Sequence, residues 1–373
     1  MLTITNNNNG WPFIKDAQDI VISLDGNDNT SITSISVLKG NSTLFSFPNF
    51  TLDASGKFVF RTREILEGLN LPWIDVTSAA PSISDPILTL KVVYKELYNN
   101  SMQTKNKSTS LPWIPGGTNK PAGTTAWDHE KKFWTLKERP IKSRISGADW
   151  PIFYFQNSSF RSQFVVTIYF KDGTDYQYDP DVMEPQDYET YPTIRSEKRL
   201  SWRQVGIMAE EYGMGMAEMV DHYTVERYIE DIDNPGEDER ADTITVYPDD
   251  SDGTDFIYFN SLGVPERITT MGKSAESIEH IQTLFRNRYS EKAADNTSVR
   301  KTQSFSGYLN TAAERNSWME FIESKEHYIL LESGELKRII IDEVSCGTEK
   351  FALSSITFTW HYAEGRKGAG LHG

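Results

Sequence analysis

The chain has 373 residues, a length that favours two or three domains of ~100–200 residues each. Its 38 Lys and Arg against 53 Asp and Glu leave a net charge of −15, which repels phosphate backbones and works against docking on anionic membranes. The single cysteine, Cys346, excludes an internal disulfide and a cysteine-rich zinc site.

No apolar run reaches the ~18 residues that a membrane-spanning helix needs, so no membrane insertion is expected. Asn6 to Asn9 lie where the apolar stretch of an export signal would be, so no signal peptide is read there. An aromatic fraction of 12% marks a chain that folds, because disordered segments are poor in aromatics. Glycine-rich phosphate loops and nucleophile motifs are missing from the sequence. No catalytic residue, cofactor-binding residue or metal ligand is therefore assigned, and no cofactor is expected.

Residues 11–98 read as strands of an Ig-like β-sandwich. Ile20, Ile22 and Leu24 alternate with Val21 and Ser23, and Ile35 and Val37 share a face. Phe58 and Phe60, then Leu88, Leu90, Val92 and Tyr94, repeat the pattern. Period two with a turn signal every ~8–12 residues is the mark of a sandwich. A short helix is predicted over 63–69, capped by Thr62, with Ile65, Leu66 and Leu69 inward.

Residues 99–131 shift to Ser, Thr, Asn, Lys, Gly and Pro and read as a linker or extended loop. Trp113 and Ile114 inside it suggest an arm that orders on a partner. Residues 132–255 read as a β-rich domain with an acidic loop. Ile152 to Phe155 is a short strand, and Phe164, Val166, Ile168 and Phe170 line one face of a longer one. Asp172-Gly173 ahead of Tyr176 and Tyr178 signals a hairpin. Met208 to Met219 has helical composition, but Gly213 and Gly215 break it, and a loop or irregular helix is expected. Tyr223, Val225 and Arg227 then share a strand face.

Asp231 to Asp255 holds ten acidic residues against one arginine, a net −9 in 25 residues. It is expected to be a surface loop that faces solvent or a basic patch on a neighbour, with assembly weakening above ~0.15 M salt. Its Asp249-Asp250-Ser251-Asp252-Gly253 resembles a calcium loop only faintly. Counted from Asp250, the twelfth position is Ser261, which cannot supply the bidentate carboxylate.

Residues 256–363 read as a sheet domain with one amphipathic helix near 312–323. Thr311 and Glu314 have capping-box spacing, and Trp318, Phe321 and Ile322 fall on one stripe. Ser333-Gly334 marks another hairpin, and Ile356, Phe358, Trp360 and Tyr362 alternate in the closing strand. The fold class is thus mainly β and multidomain: an Ig-like sandwich followed by β-rich domains with one amphipathic helix.

The remaining constellations have plain readings. His129, His222, His280, His327, His361 and His372 include no pair at the spacing that puts two imidazoles on one helix face. Cys346 reads as a small buried or inert thiol. Trp127, Trp134 and Trp150 could stack on sugars, but core or interface packing is the commoner use. A glycosidase would need two carboxylates paired in a cleft, and nothing in the sequence singles out such a pair.

Several short motifs in one order resemble structural proteins from the tails and baseplates of phages and prophages of Bacteroidota. They are Phe60-Arg61-Thr62-Arg63-Glu64-Ile65-Leu66-Glu67, Trp113-Ile114-Pro115-Gly116-Gly117, and Phe133-Trp134-Thr135-Leu136 running to Lys137-Glu138-Arg139-Pro140. Phe259-Asn260-Ser261-Leu262-Gly263, the Trp318 helix and Phe358-Thr359-Trp360-His361-Tyr362-Ala363 complete the set. The resemblance implies a non-enzymatic virion protein of a tail, baseplate or neck, made in the bacterial cytoplasm. It implies assembly with copies of itself and other tail proteins. A carbohydrate-binding attachment module that takes a host surface glycan is the alternative, and a polysaccharide hydrolase ranks behind it.

Overall fold

In the computed structural model, the described residues are 2–8, 13–24, 30–48, 52–53, 55–68, 87–99, 101–112, 131–135, 141–145, 150, 152–156, 160–178, 193–197, 202–211, 219–231, 236, 238–250, 252–272, 274–286, 292–347 and 354–363. The expectations for Asp25 to Asn29, Leu69, Trp113 to Gly117, Trp127, His129, Leu136 to Pro140, Gly213, Gly215 and His372 lie outside them. The chain is mainly β, with separate sheets and three helices among the described residues.

The first sandwich places β1 (Leu2–Thr5), β2 (Ile20–Leu24) and β5 (Lys57–Phe60) in one sheet. The other sheet has the order β4-β3-β6-β7, from β3 (Thr30–Lys39), β4 (Ser42–Pro48), β6 (Ile87–Tyr98) and β7 (Ser101–Pro112). Ile20, Ile22 and Phe60 meet Ile35, Val37, Leu88, Leu90 and Val92 between the sheets, all fully buried. The period-two alternation forecast this face, and its burial is what holds the sandwich together.

Strand β7 corrects the sequence reading, which made 99–131 a linker or loop. Residues 101–112 instead pair with β6 along its whole length. The turn carries Asn99 at φ +47°, a left-handed conformation that asparagine tolerates. The polar sequence of β7 suits its place at the sheet edge, where lysines discourage further pairing. Lys105 Nζ donates to Glu96 at 2.8 Å, and Lys107 Nζ donates to the Leu2 carbonyl at 3.1 Å. The first core therefore draws on residues 2–112.

Helix α1 (Thr62–Gly68) forms where expected and buries Leu66. Its cap differs from the forecast. Thr62 donates its hydroxyl to the Phe60 carbonyl, and Asp19 Oδ1 accepts the Thr62 N–H at 3.2 Å.

The middle region has the sheet order β11-β10-β13-β14-β8. These are β8 (Ile141–Arg144), β10 (Phe160–Phe170), β11 (Asp175–Tyr178), β13 (Val220–Asp231) and β14 (Asp238–Asp249). A separate pair joins β9 (Ile152–Gln156) to β12 (Thr193–Glu197). The Asp172-Gly173 hairpin closes as expected, with Gly173 at φ +87° and Asp172 Oδ1 accepting from Thr174 N and Oγ1.

Two expectations for this region are corrected. A regular helix, α2 (Trp202–Glu211), precedes the glycines, because Trp202, Val205 and Ala209 form a buried stripe at helical spacing. Nor is the acidic segment a loop between strands. Most of its described residues belong to β14, which buries Ile244 and Val246 between flanking strands β13 and β8.

The last region is a seven-stranded sheet of order β16-β15-β19-β20-β21-β18-β17. Its strands are β15 (Asp255–Phe259), β16 (Pro265–Thr269), β17 (Ala275–Arg286), β18 (Lys292–Leu309), β19 (His327–Leu330), β20 (Leu336–Gly347) and β21 (Ser354–Tyr362). Helix α3 (Ala312–Glu323) lies on it with Trp318 and Phe321 buried against Phe256, Phe358 and Trp360. Its capping box is complete: Thr311 Oγ1 accepts from Glu314 N at 3.1 Å, and Glu314 Oε2 accepts from Thr311 N at 3.2 Å. Thr311→Ala is expected to cost ~1 kcal/mol in urea unfolding. An unchanged midpoint would show that the cap contributes nothing. Cys346, expected to be buried or inert, is exposed at the end of β20, where the burial pattern is open.

Candidate functional site

The residues with the densest polar chemistry lie where the three regions meet, at the turn Asn260-Ser261-Leu262-Gly263 between β15 and β16. Each residue of the turn has a separate task. Asn260 is buried, and its Oδ1 accepts from Leu262 N at 3.0 Å and Val264 N at 3.2 Å, which closes the loop. Its Nδ2 donates to Glu266 Oε2 at 2.9 Å and to the Trp134 carbonyl at 3.2 Å. Ser261 donates its hydroxyl to Glu320 Oε1 on α3 at 2.9 Å. Leu262 and Val264 insert into the core of the first sandwich, beside Trp134 and Phe153. Gly263 sits at φ +80°, a conformation that favours glycine.

Glu266 and Glu320 are thus brought close together, a carboxylate pair that the sequence did not single out. Both accept from protein donors. Glu266 takes Thr135 Oγ1, Asn260 Nδ2 and, at 3.5 Å, the Tyr258 hydroxyl. Glu320 takes the backbone and side chain of Ser261. Burial, with the Glu266 charge adding to it, pushes the Tyr258 phenol well above its ordinary range. Burial also raises Glu320, partly offset by the Ser261 hydrogen bonds. The arrangement ties three regions of the chain to one turn, and its lone pairs serve the protein's own donors.

A second junction joins β8 to the last sheet. Arg267 Nη2 donates to Ser143 Oγ, and Arg144 Nη1 donates to the Gly253 carbonyl. Asp255, counted in the sequence as part of the acidic loop, is instead buried, accepts from Thr269 Oγ1 at 2.6 Å and lies 3.8 Å from Arg144. Gly253 is needed here, since a Cβ would sit 1.8 Å from the Thr270 carbonyl oxygen.

A third buried polar group is Arg227. Its guanidinium donates to Ser162 Oγ at 3.0 and 3.2 Å and to the Lys132 carbonyl at 3.3 Å. It also lies 4.8 Å from the Tyr154 ring centroid, a position in which a planar cation stacks well. One signal could have found it: an arginine in phase with Tyr223 and Val225 on an apolar face.

The acidic strand is partly neutralised in place. Glu239 pairs with Lys131 at 2.7 Å, and Asp242 Oδ2 accepts from Phe133 N at 2.8 Å, whereas the segment's one arginine, Arg240, is taken up by Glu226 of β13 at 3.0 Å. Asp250 and Asp252 are exposed. Among the described residues, no group of three or more His, Cys, Asp and Glu is placed to hold a metal ion.

The aromatic and histidine candidates disperse. Trp134 and Trp150 are buried. His222 stacks between Tyr169 at 4.4 Å and Tyr247 at 5.0 Å, so these ring faces meet each other. His361 bonds Asp342 at 2.8 Å. His327 is buried with Nε2 against the Phe321 carbonyl near the end of α3, which makes that nitrogen the donor.

Burial holds the His327 pKa below its ordinary 6.5, against the favourable Phe321 bond. Below pH 6.5 the unfolded chain takes up a proton that the folded chain resists. Stability present above that pH is therefore lost as pH falls through the lower folded pKa. Urea midpoints should drop between pH 7.5 and 5.5, and less so in His327→Gln. Equal slopes for both proteins would contradict this assignment.

No protein-family model matches the chain, and no curated protein matches it. Among solved structures, it is similar to the tail of an empty GTA particle with C6 symmetry, over 30% of this chain and 90% of that one, at 7% identity and a TM-score of 0.20. It is similar to a chain of the virion of a native gene transfer agent particle over 29% and 90%, at 8% identity and a TM-score of 0.19. Fibronectin(III)-like modules of Clostridium thermocellum CbhA share 12% identity across 66% of this chain and 94% of theirs, at a TM-score of 0.16. None of these overlaps amounts to a shared overall fold.

Proposed function

We propose that the chain is a non-enzymatic structural component of a phage or prophage virion, in the tail, baseplate or neck. It acts by assembling with copies of itself and with neighbouring tail proteins. The observation that carries this reading is the hydrogen-bonded junction at Asn260 to Gly263. There the carboxylates Glu266 and Glu320 are bonded to Thr135, Asn260 and Ser261, and the apolar residues of one turn serve two domains. Hydrolysis needs a carboxylate pair open to substrate. A pair consumed in joining domains gives rigidity, which is what a part of an assembly uses. The ordered motifs that resemble phage tail proteins point the same way.

Immunogold electron microscopy of purified particles tests the reading. Label at a fixed position on the tail is the expected result. Particles without label would overturn it. In that case, glycan-array binding by the monomer would support an attachment module, and turnover of capsular glycan lost in Glu266→Gln would support a hydrolase.

A further inference from the structure

Strand β20 outlasts its neighbour β19. Their ladder ends where His327 meets Ile339, so residues 340–347 have β21 as their one ladder partner among the described residues. A bulge between Ile341 and Glu343 breaks the register, and Asp342 there bonds His361 at 2.8 Å. From Glu343 opposite Thr359 to Gly347 opposite Ser355 the ladder is regular again. These five residues run ~17 Å. The N–H and C=O groups of their outer side have no ladder partner among the described residues and are open to another strand.

Three other edges of the chain are guarded. β7 carries Lys105 and Lys107, β4 ends on Pro48, and β16 is buried from Pro265 to Ile268. Lysine, proline and cover each discourage a further strand. Glu343-Val344-Ser345-Cys346-Gly347 has none of the three and is exposed throughout. Val344 and Cys346 lie opposite Phe358 and Ile356, whose side chains pack in the core with Trp318 and Phe321 of α3. Val344 is nevertheless 39% exposed, and Cys346 is exposed beside it. The apolar face of the sheet thus continues past its helix to an open edge.

We propose that residues 343–347 of β20 pair antiparallel with the same residues of a second copy, about a two-fold axis at Ser345. This rests on the assembly reading above and specifies one of its contacts. In that register the five residues are complementary to themselves: Ser345 meets Ser345, Val344 meets Cys346, and Glu343 meets Gly347. Apolar side chains oppose each other, and the two Glu343 carboxylates stand four residues apart, ~13 Å along the ladder. No like charges are directly opposite, the arrangement that destabilises a strand pair. The contact is isologous, so it closes at two copies and leaves the rest of each surface for other contacts. Main-chain hydrogen bonds hold it, and its small size makes it transient.

The single cysteine reports this contact in the full chain. Once paired, the two Cys346 side chains share a face as diagonal neighbours, ~7–8 Å apart, within reach of a short bismaleimide. Wild type should give cross-linked dimer on a denaturing gel, and Cys346→Ser none. Ser345→Lys and Ser345→Glu each set like charges directly opposite. Each should cut the dimer ~5-fold, and a 1:1 mixture of the two should regain it. Glu343→Lys, which faces glycine in this register, should keep it. Ser345 is exposed, so both of its variants should unfold at the wild-type temperature. If wild type and both Ser345 variants cross-link alike, or the mixture does not regain the dimer, the pairing at Ser345 is wrong. Loss in Glu343→Lys contradicts the register equally. Wild type that sediments above 42.5 kDa without cross-linking removes this contact and keeps the assembly reading. Wild type that neither cross-links nor sediments above that mass overturns both.

Discussion

Replacing Trp318 with alanine is expected to destabilise the last domain by ~3–5 kcal/mol. The indole lies on the inward stripe of α3, 5% exposed, with ring centroids 5.5 Å from Phe321 and 6.0 Å from Phe358. Phe321 in turn packs 5.7 Å from both Phe256 and Tyr258. Truncation removes transfer energy and leaves a cavity that the surrounding strands of the sheet cannot collapse into. Met319, one residue on and 40% exposed, is the control, and Met319→Ala should change little. Urea unfolding measures both. A change under ~0.5 kcal/mol for Trp318→Ala would show that the helix is not bonded to the sheet through this stripe.

Asn260→Ala is expected to cost a similar ~3–5 kcal/mol, for a different reason. Alanine leaves the N–H groups of Leu262 and Val264 without their acceptor. It also removes a donor from Glu266 and from the Trp134 carbonyl. These groups are buried, so water does not replace the lost bonds at full strength. Much of the penalty comes from the carboxylate. Adding Glu266→Gln to Asn260→Ala should therefore cost less than the sum of the two single changes. Ser261→Ala, which removes one hydrogen bond to Glu320, should cost ~1 kcal/mol. Strict additivity of Asn260→Ala and Glu266→Gln in denaturant unfolding would show that the pair is uncoupled.

Much of the architecture was legible because one-sided burial leaves a period-two pattern. Ile20 with Ile22 and Leu88 to Val92 alternate and bury the forecast face; Phe164 to Phe170 buries its forecast face as well, although Val165 and Thr167 opposite are also buried. Turns at Asp172-Gly173 and Ser333-Gly334 and the Thr311–Glu314 box are local chemistry, readable within four residues. Strand β7 escaped because an edge strand with two largely solvated faces needs no apolar alternation. Among its described side chains, Leu111 near its end is the one that is fully buried. Strand β14 escaped because its charge density masked the short inward run of Ile244 and Val246. The junction at Asn260 was visible as the end of a strand, and its partners were not. Trp134 lies 126 residues away and Glu320 59 residues from Ser261, and no local pattern encodes a contact at that separation.

Sedimentation velocity of the full chain across concentration, at ~0.05 and ~0.5 M salt, bears most directly on whether this protein works by assembling. The account predicts species heavier than the 42.5 kDa chain at low salt, falling back towards it as salt screens the acidic patch. Asp249, Asp250 and Asp252 changed together to Asn should flatten that dependence. A single 42.5 kDa species at every concentration and both salts would contradict it.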